Sequence, residues 1–311
     1  LIEAGTISPR YVRNCIGIVS SIFRLAVLEE AADVNPVSQT PRDGLPAASR
    51  GGGPTYTAAE VVQLLGAERV DLDRRVLYAM QAMTGMRVGE CCGRRWEDWD
   101  RAASPLGALR IHTQYNDQPL KTAKTGNNKE RRAPVHPHLA AILDYWWRQG
   151  FASTYGRAPN QRDFIVPSRS HRHLGPMTQS QITKAHRRDA ARAGVPNKGT
   201  HALRRFMISA ARSGGAQKDV LERITHNARG DIIDIYTTLE WSTLCAAIRA
   251  IRLDESAPHL GPVYDISYDI DGTDGAKPSQ SLRLLGGGGG NRRSMIRGRL
   301  RQVQGITRKR D

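Results

Sequence analysis

The chain has 311 residues, a formal net charge of +16 and 39% hydrophobic residues. That length exceeds one ordinary core and allows a catalytic-size domain with appendages, and the charge favours a polyanionic partner, DNA or RNA, over a membrane. Setting aside residues 252–311, with their arginine-rich end, leaves residues 1–251 still net basic, and Cys15, Cys91, Cys92 and Cys245 contain no C-x-x-C pair, which argues against a zinc site or a disulfide framework and fits a reducing cytoplasm.

Ser8-Pro9 has the form of an N-cap with proline in the first turn, and Val12, Ile16, Val19, Phe23, Ala26 and Val27 recur at helical spacing until Asn35-Pro36, read as the stop. One amphipathic helix cannot bury its own stripe, so residues 1–35 are read as the last helix of a small bundle whose earlier helices precede Leu1. With no unbroken run of about 18 apolar residues, no membrane span is expected. Residues 36–54, with Pro36, Pro41, Pro46, Gly51-Gly52-Gly53 and Pro54, read as a linker.

Thr57-Ala58-Ala59-Glu60 is a capping box that opens the next domain, residues 55–251. A second helix is predicted from about Arg74 to Met83, ending near Gly85, and a third from about Arg87. Alternation of Leu109, Ile111 and Thr113, closed by Ala133-Pro134-Val135, predicts a small antiparallel sheet with a basic loop from Lys121 to Arg132. Helices follow over Pro137 to Gln149, after the Thr178–Gln181 cap as far as Gly194, from His201 with Thr200 as cap, and over Gln217 to Thr225. Short helices are predicted over Asp231 to Tyr236 and Thr243 to Ile251. The fold class is mainly α with a small antiparallel β-sheet. Residues 252–311, with the Gly286–Gly290 run, are read as a disordered basic tail.

A phosphodiester gains negative charge in its transition state, so cleaving it needs fixed cations, an in-line nucleophile and an acid for the leaving oxygen. Arg87, after Gly85 and at a helix start, is one candidate clamp, with Glu90 on the same face to orient it. Arg204 is the second, three residues from His201 on one helix face; Arg205 points elsewhere, toward the DNA backbone or solvent. His226 lies where a helix closes into a loop. Tyr236 is the candidate nucleophile: a phenol of pKa near ~10 attacks at neutral pH only among cations. Lys124, in the basic loop, is the candidate acid, with Lys121 and Lys129 as rivals.

Together these motifs resemble the tyrosine recombinases of the phage-integrase type. The resemblance rests on Thr84-Gly85-Met86-Arg87-Val88-Gly89-Glu90 with Trp96-Glu97-Asp98, on Lys124-Thr125-Gly126 before Ala133-Pro134-Val135, on His201-Ala202-Leu203-Arg204-Arg205, and on His226 with Tyr236. It implies a DNA breaking–rejoining catalytic domain preceded by the end of an α-helical core-binding domain. Arg87 and Arg204 would bind the scissile phosphate, His201 and His226 would hydrogen-bond it and assist proton transfer, Lys124 would protonate the 5′-oxygen, Glu90 would support the site, and Tyr236 would form a 3′-phosphotyrosine. The resemblance also implies double-stranded DNA as partner, a homotetramer on two DNA sites, DNA-bending accessory proteins, no cofactor or metal, and a bacterial cytoplasmic setting. The chain departs from the family pattern in having Thr225 where glycine usually precedes the histidine, and one extra residue between His226 and Tyr236. Two other readings stay open here: a non-catalytic DNA-binding relative, and a topoisomerase-like enzyme using the same chemistry on one duplex.

Overall fold

The computed structural model describes residues 7–39, 52–115, 121–122, 131–169, 174–225 and 239–253. The predicted loop segment 123–130, the helix over Asp231 to Tyr236, most of the linker and all but the first two residues of the predicted tail lie outside the described residues. The chain divides into two compact units between Thr55 and Tyr56.

The first unit contains α1 (Pro9–Leu28) and α2 (Pro36–Gln39). Ser8 caps α1 as predicted, its Oγ accepting from the Tyr11 N–H at 3.2 Å. Asn35-Pro36 does not end this helix. The chain turns after Leu28, with the Ala31 N–H donating to Ala26 O at 2.8 Å, and Asn35 instead begins α2, its Oδ1 accepting from the Val37 N–H at 3.0 Å. Proline at a first helical position starts a helix, because the N–H it lacks would have had no partner there. None of α1 is buried. Contrary to the expectation that no segment could span a membrane, α1 is by length and composition apolar enough to do so, although it carries Arg13 and Arg24.

In the second unit the Thr57–Glu60 capping box opens α3 (Ala58–Gly66), with both reciprocal bonds formed at 3.2 and 2.7 Å. Helix α4 (Leu72–Thr84) is buried continuously from Val76 to Thr84, and it packs against α3, α6 (Pro137–Tyr145) and α9 (His201–Ser213). A helix apolar nearly all round belongs at the centre of a core. Asp189 ties it to α8 (Gln179–Ala193) by accepting from Arg74 at 2.5 and 3.0 Å and from the Tyr78 hydroxyl at 2.7 Å. Helix α5 (Val88–Cys92) leads through a single 3-10 turn (Trp96–Asp98) into β1 (Trp99–Asp100).

The sheet forms where predicted and gains β1 from outside the predicted span. Strands β1, β2 (Ala108–Ile111) and β5 (Arg131–Pro134) are antiparallel in that order, with Leu109 opposite Ala133. Strands β3 (Thr113–Gln114) and β4 (Lys121–Thr122) form a separate pair. The helix predicted over Pro137 to Gln149 is α6 (Pro137–Tyr145), one π turn (Trp146–Gly150), and α7 (Phe151–Tyr155). The wider turn accompanies a buried Trp146 whose Nε1 donates to Ile165 O at 2.6 Å. Helix α8 (Gln179–Ala193) has the predicted capping box and ends at Gly194 in the left-handed region. Helices α9 (His201–Ser213), α10 (Lys218–Thr225) and α11 (Trp241–Arg249) complete the unit. Thr200 precedes α9 but does not cap it: its backbone is already helical, so its side chain makes no cap hydrogen bond.

Candidate nucleic-acid cleavage site

Gly85 ends α4 with φ of +68°. A β-carbon there would strike the end of Met207 and approach Thr225 Cγ2 at 3.2 Å, so only glycine suits the position. The turn is braced by Thr84, whose hydroxyl donates to Met80 O at 2.5 Å and accepts from the Met86 N–H at 3.2 Å. It delivers Arg87 to the N-cap of α5. Glu90, 7% exposed, reaches back from the first turn. Its Oε2 accepts from the Arg87 N–H at 2.8 Å and its Oε1 pairs with Arg87 Nη1 at 3.2 Å. The predicted Arg87–Glu90 relationship is therefore a backbone cap and an ion pair at once.

Two arginines absent from the sequence reading complete this end of the site. Arg94 is fully buried; its Nε donates to Glu90 O at 3.0 Å and its Nη2 to Thr113 Oγ1 at 2.7 Å, fastening α5 to β3. Arg131 on β5 donates to Glu90 Oε2 at 2.9 Å. Strand alternation carried a signal for it: Arg131 shares the inward face of β5 with buried Ala133, whereas Arg132 is exposed and bonds Asp100 at 3.0 Å.

Arg204 is 2% exposed on α9. Its two terminal nitrogens donate to the carbonyl oxygens of Gly85 and Thr225. Burial, reinforced by the like charge of Arg87 and opposed by Glu90, pushes its pKa down to about 10. It stays charged at neutral pH, and Glu90, which pairs with Arg87 and Arg131, favours that charge. His201 begins α9 one turn from Arg204, with an exposed side chain whose ring is partly covered on one side. Burial, then Arg205, Arg204 and Arg87, lower its pKa below the ordinary histidine value, which favours a neutral imidazole. Arg205 is half-buried and adds to this positive potential.

The structure thus brings Arg87, Glu90, Arg204 and His201 into one electrostatically connected group with Arg131. Lys124, Lys129, His226 and Tyr236 lie outside the described residues, and of Lys121 only the backbone, in β4, is described. His226 directly follows Thr225, whose carbonyl Arg204 holds. Among the described residues no three His, Cys, Asp or Glu side chains converge in a way that could hold a metal ion. Cys15, Cys91, Cys92 and Cys245 are free thiols.

The family model described as the phage integrase family matches residues 55–241. The ICEBs1 integrase of Bacillus subtilis (strain 168) is 25% identical over 146 residues, which cover 47% of this chain and 39% of that protein. The matched stretch is therefore well under half of that relative. An integrase of the Tn1549 transposon, solved in complex with a circular intermediate DNA, is 14% identical with a TM-score of 0.58, covering 81% of this chain and 82% of that one. The integrase from mycobacterium phage Brujita is 18% identical with a TM-score of 0.50, covering 81% and 75%. A lambda integrase dimer bound to a COC′ core site is 18% identical with a TM-score of 0.51, covering 76% and 74%. At these identities the likeness is one of fold, that of tyrosine-recombinase catalytic domains, mostly helical with a small antiparallel sheet.

Proposed function

The chain belongs to the phage integrase family, and we propose that it is a site-specific DNA recombinase that cleaves and rejoins strands through a 3′-phosphotyrosine on Tyr236. One observation carries the reading: Arg87, Arg131 and Arg204 gather around the single carboxylate of Glu90, with Arg204 buried and its pKa lowered. Three cations gathered at one place, one of them buried, make a preorganised site for the charge a phosphodiester gains as it reacts.

In this reading Arg87 and Arg204 hold the non-bridging oxygens of the scissile phosphate, each as a planar fork. His201, biased toward the neutral form, and His226 hydrogen-bond the same group. The Tyr236 oxygen attacks phosphorus as its proton passes to a neutral histidine, a new P–O bond forms to tyrosine, and the bond to the 5′-oxygen breaks. Lys124 gives that oxygen its proton, with Lys121 and Lys129 as rivals for the role or for backbone contact; Arg205 also faces the DNA. The 5′-hydroxyl of a partner strand then displaces tyrosine. One phosphodiester replaces another, so no external energy source is needed. Residues 55–251 form the catalytic domain, and residues 1–35 belong to a helical DNA-binding domain joined through 36–54. Double-stranded DNA is the substrate, with a homotetramer on two sites and DNA-bending proteins as accessories.

The test is a nicked suicide duplex, in which the released strand diffuses away. The chain should accumulate a covalent DNA adduct that survives denaturation. Tyr236→Phe should abolish the adduct and leave DNA binding within about twofold, since only one hydroxyl is lost. Adduct formation by Tyr236→Phe would move the nucleophile elsewhere. Binding with no adduct from the parent chain would mark a non-catalytic relative, and relaxation of supercoiled plasmid without sequence preference would mark a topoisomerase-like enzyme.

A further inference from the structure

We infer that Arg131 is a positioning residue that anchors Glu90 so that the Arg87 guanidinium stays available to a phosphate; this rests on the role proposed above for Arg87. The two oxygens of Glu90 have different duties. Oε2 is bound twice, by the Arg87 backbone N–H at 2.8 Å and by Arg131 Nη2 at 2.9 Å. Oε1 takes the Arg87 guanidinium through one contact at 3.2 Å. Exposure divides in the same way. The side chains of Arg131 and Glu90 are each 9% exposed, whereas that of Arg87 is 41% exposed. The short pair is thus the sheltered one, and the longer pair faces outward.

Removing Arg131 changes this balance. Glu90 would keep its buried charge with Arg87 as its nearest cation, and the pair would tighten, because a buried carboxylate left with one partner cannot be satisfied by solvent. The guanidinium that should meet the scissile phosphate would then be held by a carboxylate. Arg131 is also placed to respond to a bound anion. Its Nε–H is buried and has no hydrogen-bond partner among the described residues. Burial lowers its pKa, Glu90 opposes that shift, and Arg87 adds to it.

The experiment compares the parent chain with Arg131→Met, Glu90→Gln and the double variant, in thermal melting and in adduct formation on the nicked suicide duplex. Arg131→Met should melt lower and form adduct at least tenfold more slowly, with DNA affinity within about twofold. Adding Glu90→Gln removes the unbalanced charge, so the double variant should recover both melting temperature and adduct rate relative to Arg131→Met. A purely structural arginine would give no such recovery of rate. Parent-like melting and cleavage by Arg131→Met, or a double variant no better than the single one, would overturn the inference. If the parent forms no adduct, the proposed function fails, and the melting comparison still decides whether Arg131 anchors Glu90.

Discussion

Arg204 reaches across 119 positions of sequence to donate to the carbonyl oxygen of Gly85. Its other terminal nitrogen donates to Thr225 O. One guanidinium therefore fixes both the turn that presents Arg87 and the last described residue before His226. Lysine cannot replace this, because an ammonium on a flexible stem is a point donor without the fixed fork. Arg204→Lys should lower stability by about 2 kcal/mol, since a buried carbonyl loses its donor, and slow adduct formation by at least about 100-fold. Chemical denaturation and suicide-substrate kinetics measure the two effects. A folded Arg204→Lys variant that cleaved at the parent rate would remove Arg204 from the site.

Gly85 tests the same turn from the backbone side. Its φ of +68° strains any residue with a β-carbon, and that carbon would displace the Met207 methyl and crowd Thr225 Cγ2 at 3.2 Å. Gly85→Ala should cost about 2 kcal/mol, combining left-handed strain with a steric shift. For a domain of about 200 residues that corresponds to a melting temperature lower by about 4–8 °C. Adduct formation should fall by more than the folded fraction does, because the displaced carbonyl belongs to the network holding Arg204. Unchanged melting would show that the turn relaxes without disturbing α9.

These residues also show which features a sequence displays. The Thr57–Glu60 and Thr178–Gln181 capping boxes were legible because donor and acceptor lie three positions apart, and so was the Arg87–Glu90 pair. Arg131 was not, since its partner lies 41 positions away and only the alternation of β5 hinted at its inward face. Strand β1 has two residues, too few for a period, and exists because β2 pairs with it. The π turn at Trp146–Gly150 was hidden inside a continuous helical pattern. Asn35-Pro36 misled because proline that stops one helix equally well starts another. The two donors of Arg204 go to backbone carbonyls, which carry no residue-specific signal at all.

His136 predicts a pH dependence of stability. It is 8% exposed, its Nδ1 accepts from the His138 N–H at 3.2 Å, and its Nε2 lies 3.2 Å from Ile251 O. Those partners suit a neutral ring protonated on Nε2. Burial first, then His138, lower its pKa to about 4, while the Ile251 carbonyl opposes the shift. The folded value lies below the ordinary value of about 6.5, so between the two the unfolded chain binds more protons and folding stability falls as pH falls. The contribution is fully present above about pH 6.5, declines toward pH 4, and is at most about 3 kcal/mol. The stability difference between the parent and His136→Asn should therefore shrink on acidification through this window. His186 and His201 are present in both proteins and cancel in that difference. A difference independent of pH from 7 to 4 would show that His136 is not held neutral.

Salt dependence tests the electrostatic basis of DNA binding. The chain carries a net +16, and Arg87, Arg204 and Arg205 converge near the start of α9. Arginine and lysine contacts release the counterions condensed on DNA, so the logarithm of affinity should fall linearly with the logarithm of salt concentration. The slope is about −0.9 per phosphate contacted, or about −5 for a footprint of about six phosphates. Replacing one contacting cation should make that slope shallower by about 1. Arg205→Gln is the informative substitution, because it removes charge while leaving the Arg204 carbonyl contacts in place. Fluorescence anisotropy on a labelled duplex between 50 and 200 mM salt should show the parallel loss of slope and affinity. A flat dependence for the parent would mean that this charge does not face DNA. An unchanged slope for Arg205→Gln, with a steep parent, would move the phosphate contacts to other residues.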